Sequence, residues 1–351
     1  MEHVDVVVIG GGQSGLAAAH ALREQGLAPV ILEVSEQPAG SWPRYYDSLT
    51  LFSPAARSSL PGLPFGGDPD RYPHRDEVVA YLLRYAERLD ADVRTGTRVQ
   101  EVSMSDGAFS LTLETGDRMT ARGVVAASGT FGRPHRPALP GLDDFTGTVL
   151  HTAEYRRPEP LAGQRVVVVG AGNSAVQIAA ELAAHARVTL AARHPVRFAR
   201  QRPLGRDLHW WLQRTGLDTL PVGRFLRTPP TQLVIDDGRY RAAVAAGAPD
   251  LRPVFSAIDG TKATWTDGAT EEIDTIVLAT GYRPDLGYLR PLGALDADGH
   301  PRHREGLSTT HPGLAYVGLE WQRSLSSNTL RGVGRDAARV VRRLIAHLGA
   351  R

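Results

Sequence analysis

Val4 to Gly15 reads VDVVVIGGGQSG. The apolar, largely β-branched first half predicts a buried strand, and the small apolar run LAAAHAL that follows, ending before Gly26, predicts a helix. Between them Gly10, Gly12 and Gly15 satisfy G-x-G-x-x-G. Gly10 permits the tight turn, Gly12 lets backbone amides approach a pyrophosphate, and Gly15 lets the helix pack close to the strand, so a diphosphate meets the helix N-terminus. A second strand, PVILE, ends at Glu33, 23 residues beyond Gly10. A carboxylate there accepts hydrogen bonds from both hydroxyls of an adenosine ribose. The context predicts a dinucleotide site over a purely structural glycine turn.

The pattern returns. Arg165 to Ala175 reads RVVVVGAGNSA, with a helix expected from about Ser174 to Ala184 and a strand RVTLAA before Arg193. Gly170 and Gly172 keep the two phosphate-side glycines, while Ala175 replaces the third. At the offset of Glu33 this unit has Arg193, whose guanidinium pairs with a 2′-phosphate that a carboxylate would repel. A solvated surface arginine is the competing reading, because Arg187, Arg197, Arg200, Arg202 and Arg206 crowd the same stretch. The first site therefore reads as FAD and the second as NADPH, an arrangement that passes hydride from nicotinamide to flavin.

The rest of the composition narrows the chemistry. The 351 residues suit about two domains, and 42% hydrophobic with 22% charged residues is ordinary for a folded chain. There is no cysteine, so disulfides, thiolate nucleophiles and iron-sulfur clusters are excluded. Lys262 is the only lysine among 40 basic residues, which leaves no lysine-bearing phosphate loop and one candidate Schiff-base amine. A net charge of +2 with dispersed acids argues against a nucleic-acid-coating surface, and no stretch reads as a membrane span or a leader. The expected partners are a small-molecule substrate and O2, with no nucleic acid, no membrane and no metal, in a cytoplasmic protein for which a homo-oligomer stays open.

The fold class expected is α/β, with two dinucleotide-binding, Rossmann-like domains, the NADP domain inserted into the FAD domain. Residues 1–148 and 286–351 form the FAD-binding part and 149–285 the NAD(P)H-binding part. Apolar strands at VVAASGT, Val124 to Thr130, and at IVLATGYRP, Ile276 to Pro284, each return to their own sheet, and the proline-rich RPHRPALPG and the short RPDLG are the crossings. Arg94 to Ala121 alternates as a small antiparallel insert with turns at Asp106-Gly107 and Thr115-Gly116. From Gly334 onward Ala337, Ala338, Val341, Leu344, Ile345 and Leu348 line one face of a terminal helix.

Phe145 to Arg156, FTGTVLHTAEYR, resembles the F-x-G-x-x-x-H-x-x-x-[YF]-[KR] fingerprint of flavin-containing and N-hydroxylating monooxygenases. Tyr155-Arg156 is closer to that branch than to Baeyer-Villiger enzymes, which usually carry Trp-Pro. Ala39-Gly-Ser-Trp42, Tyr46-Asp-Ser-Leu49, Leu51-Phe-Ser-Pro54, Ala279-Thr-Gly-Tyr282 and the tail from Asn328 to Ala337 look like the compact bacterial CzcO-like flavoproteins, in the same order across nearly the whole chain. The resemblance implies a flavin reduced by NADPH, oxygen added at the flavin C4a to give a hydroperoxide, and oxygenation of a soft sulfur or nitrogen nucleophile. By position Ser14, Gly40, Ser41 and Trp42 join Gly10, Gly12, Gly15 and Glu33 around FAD, while Asn173, Ser174 and Arg193 hold NADPH. A helix opening near Asn328 and Thr329 presents amides to the pyrimidine edge of the flavin, with ordinary capping as the alternative. Larger relatives place an asparagine beside the flavin in the segment matching Leu51 to Pro54. This chain has none there, so Phe52 and Ser53 are the catalytic candidates, with core packing the plainer fate of Phe52.

Three readings follow: an NADPH-dependent monooxygenase; a reductase or oxidase that passes electrons on without inserting oxygen, which the missing asparagine favours; and a nucleotide-sensing regulator, against which the complete cofactor apparatus weighs. His151, inside the fingerprint, reads as a structural histidine, and His300 and His303 as residues of a polar turn. Leu208-His-Trp-Trp-Leu212 with Leu217, Leu220, Phe225 and Leu226 reads as a lid, a subunit contact or plain packing.

Overall fold

The computed structural model describes residues 2–226, 230 and 233–349, so the ends of the expected segments at 1 and 350–351 lie outside the described residues. The chain opens with β1 (Glu2–Ile9), the glycine turn, α1 (Gln13–Arg23) and β2 (Val30–Leu32), and β1 pairs parallel to β2 with Val7 opposite Val30. After α2 (Arg75–Arg88) come β3 (Asp92–Arg94), β4 (Val99–Ser105), β5 (Ala108–Leu113) and β6 (Arg118–Ala126). The expected antiparallel insert and the strand at Val124 are joined in β6. Its first half pairs antiparallel to β5, and the whole strand runs parallel to β1.

The chain then crosses over through β7 (Arg133–Pro134) into a second sheet. There it forms β8 (Thr148–His151), β9 (Arg165–Val169), α3 (Asn173–Leu182) and β10 (Arg187–Ala192). An excursion follows with β11 (Phe198–Arg200), α4 (Leu208–Arg214) and β12 (Val234–Asp236), then α5 (Arg239–Ala245) and β13 (Asp250–Pro253). Three short antiparallel strands, β14 (Ala257–Asp259), β15 (Lys262–Thr264) and β16 (Thr270–Glu272), precede β17 (Thr275–Leu278). The second sheet is wholly parallel in the order β13-β10-β9-β17-β8. Apart from Arg165 at the start of β9, its central strands β9 and β17 are buried, which is why they read as unbroken apolar runs instead of alternating ones.

The return crossing, β18 (Tyr282–Arg283), pairs antiparallel to β7, so the two connections support each other. The chain re-enters the first sheet as β19 (His303–Arg304), β20 (Leu307–Ser308) and β21 (Leu314–Tyr316), giving the order β19-β20-β21-β6-β1-β2-β3 with β5 and β4 branching from β6. It ends in α6 (Leu330–Gly349), whose Val333, Ala337, Val340, Val341 and Leu344 pack with Leu16 and Leu22 of α1 in one core. This helix begins a full turn before the apolar periodicity does. Gly332 and Gly334 are helical despite their low propensity because a Cβ at either would stand 2.2 Å from the Ser326 carbonyl oxygen or 2.3 Å from Pro61 Cγ.

Candidate functional site

The first glycine turn is built by close approach. Gly10 sits at φ +108°, and a Cβ on Gly15 would stand 1.7 Å from the Gly10 carbonyl oxygen, so α1 rests directly on the turn. The second turn is looser. Gly170 faces the Ala279 carbonyl in the same way, but Ala175 fits with its Cβ 3.0 Å from where a Gly170 Cβ would be. Beside the first turn Gly12 and Gly40 meet backbone to backbone, since a Cβ on Gly40 would lie 2.9 Å from Gly12 Cα. A side chain on either would fill the cradle over the helix N-terminus, which is where a diphosphate fits.

Glu33, buried at the end of β2, accepts hydrogen bonds from the Gly11 amide at 2.5 Å and from the Ser35 amide at 2.8 Å, one on each oxygen. Each carboxylate oxygen keeps a further acceptor position. Gly11, which the sequence reading passed over, has a role here: a Cβ would stand 2.9 Å from Glu33 Cβ and push the carboxylate away. Ser14 lies buried against Gly318.

Trp42 Nε1 donates to Gln13 Oε1 at 3.0 Å, and Gln13 Nε2 donates to the Asn328 carbonyl at 2.6 Å. One amide thus ties the segment after the second strand to the entrance of α6. The motif gave no sign of Gln13, which occupies a variable position. Ser41 Oγ shares a hydrogen bond with Tyr45 at 2.8 Å. Thr329 is spent on the turn before α6, with its amide and hydroxyl both donating to the Ser326 carbonyl at 3.0 and 2.8 Å.

Among the second group, Asn173 pins β12, donating to the Leu233 carbonyl and accepting from the Ile235 amide. Ser174 neighbours Tyr46, whose hydroxyl donates to Gln177 Oε1, so α3 is anchored to the first half of the chain. Arg193 is exposed just beyond β10, and among the described residues its Nη2 makes a long contact of 3.5 Å to the Ala138 carbonyl.

Phe52, partly exposed, stacks on His209 with centroids 5.8 Å apart. Ser53 is buried and its hydroxyl bonds Ser58 Oγ at 2.9 Å. His209 Nδ1 lies 2.9 Å from Asp207 Oδ1, and the other Asp207 oxygen accepts from Tyr72 and Gln201. Burial would raise the Asp207 carboxyl, but the hydrogen bonds from His209, Tyr72 and Gln201 overcome it and hold the group down to about 2.

His151 is fully buried, with Nδ1 accepting from the Ala153 amide and Nε2 donating to the Gly281 carbonyl at 3.0 Å. Tyr155, next in the fingerprint, donates to Glu181 at 2.8 Å and so braces α3. Burial pushes His151, His209 and His303 below their ordinary value of 6.5. In acid the unfolded chain takes up protons at these positions while the fold resists them, so stability is intact above about pH 6.5 and falls as pH drops below it. The melting temperature is expected to fall between pH 7 and 5, each histidine contributing at most about 1.4 kcal/mol per pH unit. A His151→Gln variant should show a shallower fall; an unchanged slope would remove His151 from this account.

His300 lies in an exposed turn with Asp296 and Asp298, their ligand atoms within 4.8 Å of one another. Exposed acidic groups of this kind are common without an ion. Among the described residues no helix is long and apolar enough to cross a membrane.

A family model described as pyridine nucleotide-disulphide oxidoreductase matches residues 7–215. The chain is 32% identical to an uncharacterized CzcO-like oxidoreductase of Geobacillus kaustophilus over 99% of this chain and 100% of that protein. It is also 32% identical to an indole-3-pyruvate monooxygenase of Oryza sativa subsp. japonica over 86% of this chain and 81% of the relative. Its fold superposes on the flavin-containing monooxygenase from Stenotrophomonas maltophilia with a TM-score of 0.87 at 34% identity, covering 99% of both chains. The chain belongs to the flavin-containing monooxygenase superfamily. This flavoprotein is an FAD- and NADPH-dependent oxidoreductase of the monooxygenase class on a mixed α/β fold. Having no cysteine, it cannot carry out dithiol chemistry with thiols of its own.

Proposed function

We propose that this flavoprotein oxygenates small soft nucleophiles, sulfur- or nitrogen-containing, with FAD in the part formed by residues 1–148 and 286–351 and NADPH in an inserted Rossmann-like domain, 149–285. The observation that carries this reading is the pair of glycine turns with opposite charges at matching places: buried Glu33 after β2 and exposed Arg193 after β10. In this reading Gly10, Gly12, Ser14, Gly15 and Gly40 cradle the FAD diphosphate and Glu33 takes the adenosine ribose. Ser41, Trp42, Asn328 and Thr329 border the flavin ring, with Gln13 fixing Trp42 against Asn328. Gly170, Gly172, Asn173 and Ser174 hold the NADPH diphosphate, and Arg193 its 2′-phosphate.

When bound, NADPH supplies hydride and the reduced flavin supplies the activation of oxygen. The protein's own groups orient and shield. Of the catalytic candidates Phe52 has no polar group and the Ser53 hydroxyl is bonded to Ser58, and the structural His151 has both ring nitrogens engaged, so none of the three is free to activate a hard nucleophile. A substrate must then bring its own polarisable lone pair, which supports sulfides and amines.

The test is to reduce the yellow protein anaerobically with NADPH, mix it with oxygen and follow the flavin spectrum. A long-lived blue-shifted species before oxidised flavin returns is expected. Immediate return of oxidised flavin with stoichiometric peroxide, unchanged by added sulfides or amines, would replace this reading with that of an oxidase or reductase, the outcome that the absence of asparagine from residues 51–54 favours.

A further inference from the structure

Between β11 and β12, which pair with each other outside the second sheet, the chain fastens itself to the first half of the molecule at two places. On one side Gln201 Nε2 donates to the Phe52 carbonyl at 2.9 Å, Tyr72 donates to Asp207, and His209 stacks on Phe52. On the other side Asp218, in the short helical turn Leu217–Thr219, is 1% exposed and takes Arg331, 5% exposed, into a forked pair with Nη2 at 2.9 Å and Nε at 3.1 Å. Ser326 Oγ donates to the Asp218 carbonyl, Arg323 Nη1 to the Thr219 carbonyl, and the Gly223 amide to the Arg323 carbonyl. Arg323 is held in turn by buried Asp336 at 2.7 Å. Gly223 lies so close that a Cβ would stand 2.0 Å from the Trp321 carbonyl oxygen, and Trp321 is kept at φ +53°, a conformation costly for an aromatic residue.

These contacts make residues 201–223 a strap from the Phe52 segment to the first turn of α6, next to Asn328. A pair of charges this deeply buried is costly to assemble and holds only where its geometry is fixed, so the end of the strap is pinned and not hinged. We infer that the Asp218–Arg331 pair is a latch that holds this strap across the entrance of α6, making Asp218 a positioning residue that keeps water from the flavin side of the site. The inference rests on the flavin placement proposed above. A loosened strap admits water and favours the unproductive course, in which NADPH, a proton and O2 give NADP⁺ and hydrogen peroxide, two electrons passing from the nicotinamide to oxygen with none used on substrate.

The test is Asp218→Asn, which keeps the shape and removes the charge. In the full-length chain without cofactor, trypsin cleavage after Arg206, Arg214 and Arg224 is expected to become about tenfold faster relative to arginines elsewhere, with an unchanged circular dichroism spectrum. In the FAD-loaded protein, peroxide formed per NADPH consumed should rise while the KM for NADPH stays constant. Unchanged cleavage in a folded variant overturns the latch, and faster cleavage with unchanged peroxide overturns its positioning role. If the variant does not fold, hydrogen exchange on the wild-type chain decides: amides of 208–223 as protected as those opening α6 support the latch, and exchange as fast as in exposed loops overturns it. Because the protease experiment needs no flavin, a chain that NADPH fails to reduce would defeat the functional reading and leave the latch to be judged separately.

Discussion

Replacing Gly15 by alanine is expected to give a colourless protein. The new Cβ would sit 1.7 Å from the Gly10 carbonyl oxygen, and that obstacle is backbone, not a side chain that can swing aside. Either the turn opens or α1 retreats from β1, and both displace the amides at Gly12 and Gln13 that begin the helix. Overpacking of this kind costs about 1–3 kcal/mol in stability. Loss of a comparable amount from cofactor binding weakens FAD about 5- to 150-fold, since each 1.4 kcal/mol is a factor of ten. The control is the second turn, where alanine is already native. Ala175→Gly has no clash to relieve, and NADPH affinity should change less than about threefold while the helix loses roughly 1 kcal/mol of intrinsic preference. Flavin content from the visible spectrum and FAD titration of the stripped protein measure the first effect. A Gly15→Ala protein with stoichiometric FAD and an unchanged melting temperature would show that the turn yields more easily than its geometry implies.

That contrast also marks what the sequence could tell. Both glycine turns, both flanking strands and Glu33 are local patterns, set by backbone sterics and the burial of parallel strands, so they are legible residue by residue. The continuity of β6 is not local. Its early half alternates because one face is buried and the other open to solvent, its later half is unbroken because both faces are covered, and that change of pattern suggests two strands. The opening of α6 at Leu330 agrees with the helix start expected near Asn328 and Thr329, but its apolar stripe is legible only from Gly334 onward, because Gly332 and Gly334 stand where Ser326 and Pro61 leave no room for a Cβ. Gln13 and Asp218 were invisible for the same reason. Each is an ordinary polar residue until the fold brings Asn328 or Arg331 to it from the far end of the chain. His303 was read as part of a polar turn, yet its Nδ1 accepts from the Gly306 amide and its ring faces Tyr316, because β19 turns the chain back into the first sheet.

On the proposed 2′-phosphate role, Arg193→Ala should leave a protein that scarcely distinguishes NADPH from NADH. A guanidinium is charged at any working pH and pairs with a phosphate through two parallel hydrogen bonds, worth about 1.5–3 kcal/mol when charge-assisted. Its removal therefore raises the KM for NADPH roughly 10- to 100-fold, leaves that for NADH unchanged and leaves kcat nearly constant, because NADH has no 2′-phosphate to lose. What supports the role is that Arg193 is exposed beyond β10 and, among the described residues, has only a long 3.5 Å contact to the Ala138 carbonyl. Arg197 and Arg200 are exposed on the same stretch and are the rivals for the role. They follow Pro195 and stand away from the strand end that aligns with Glu33 in the first unit. Alanine at either should weaken NADPH only by long-range attraction, an effect of a few-fold that disappears as salt is raised past a Debye length of ~8 Å. Loss at Arg193 should persist in the same salt because a direct ion pair is screened less. If instead Arg197→Ala abolishes the preference and Arg193→Ala does not, the phosphate lies against a residue four positions further along the chain and the alignment of the two units is wrong by that offset.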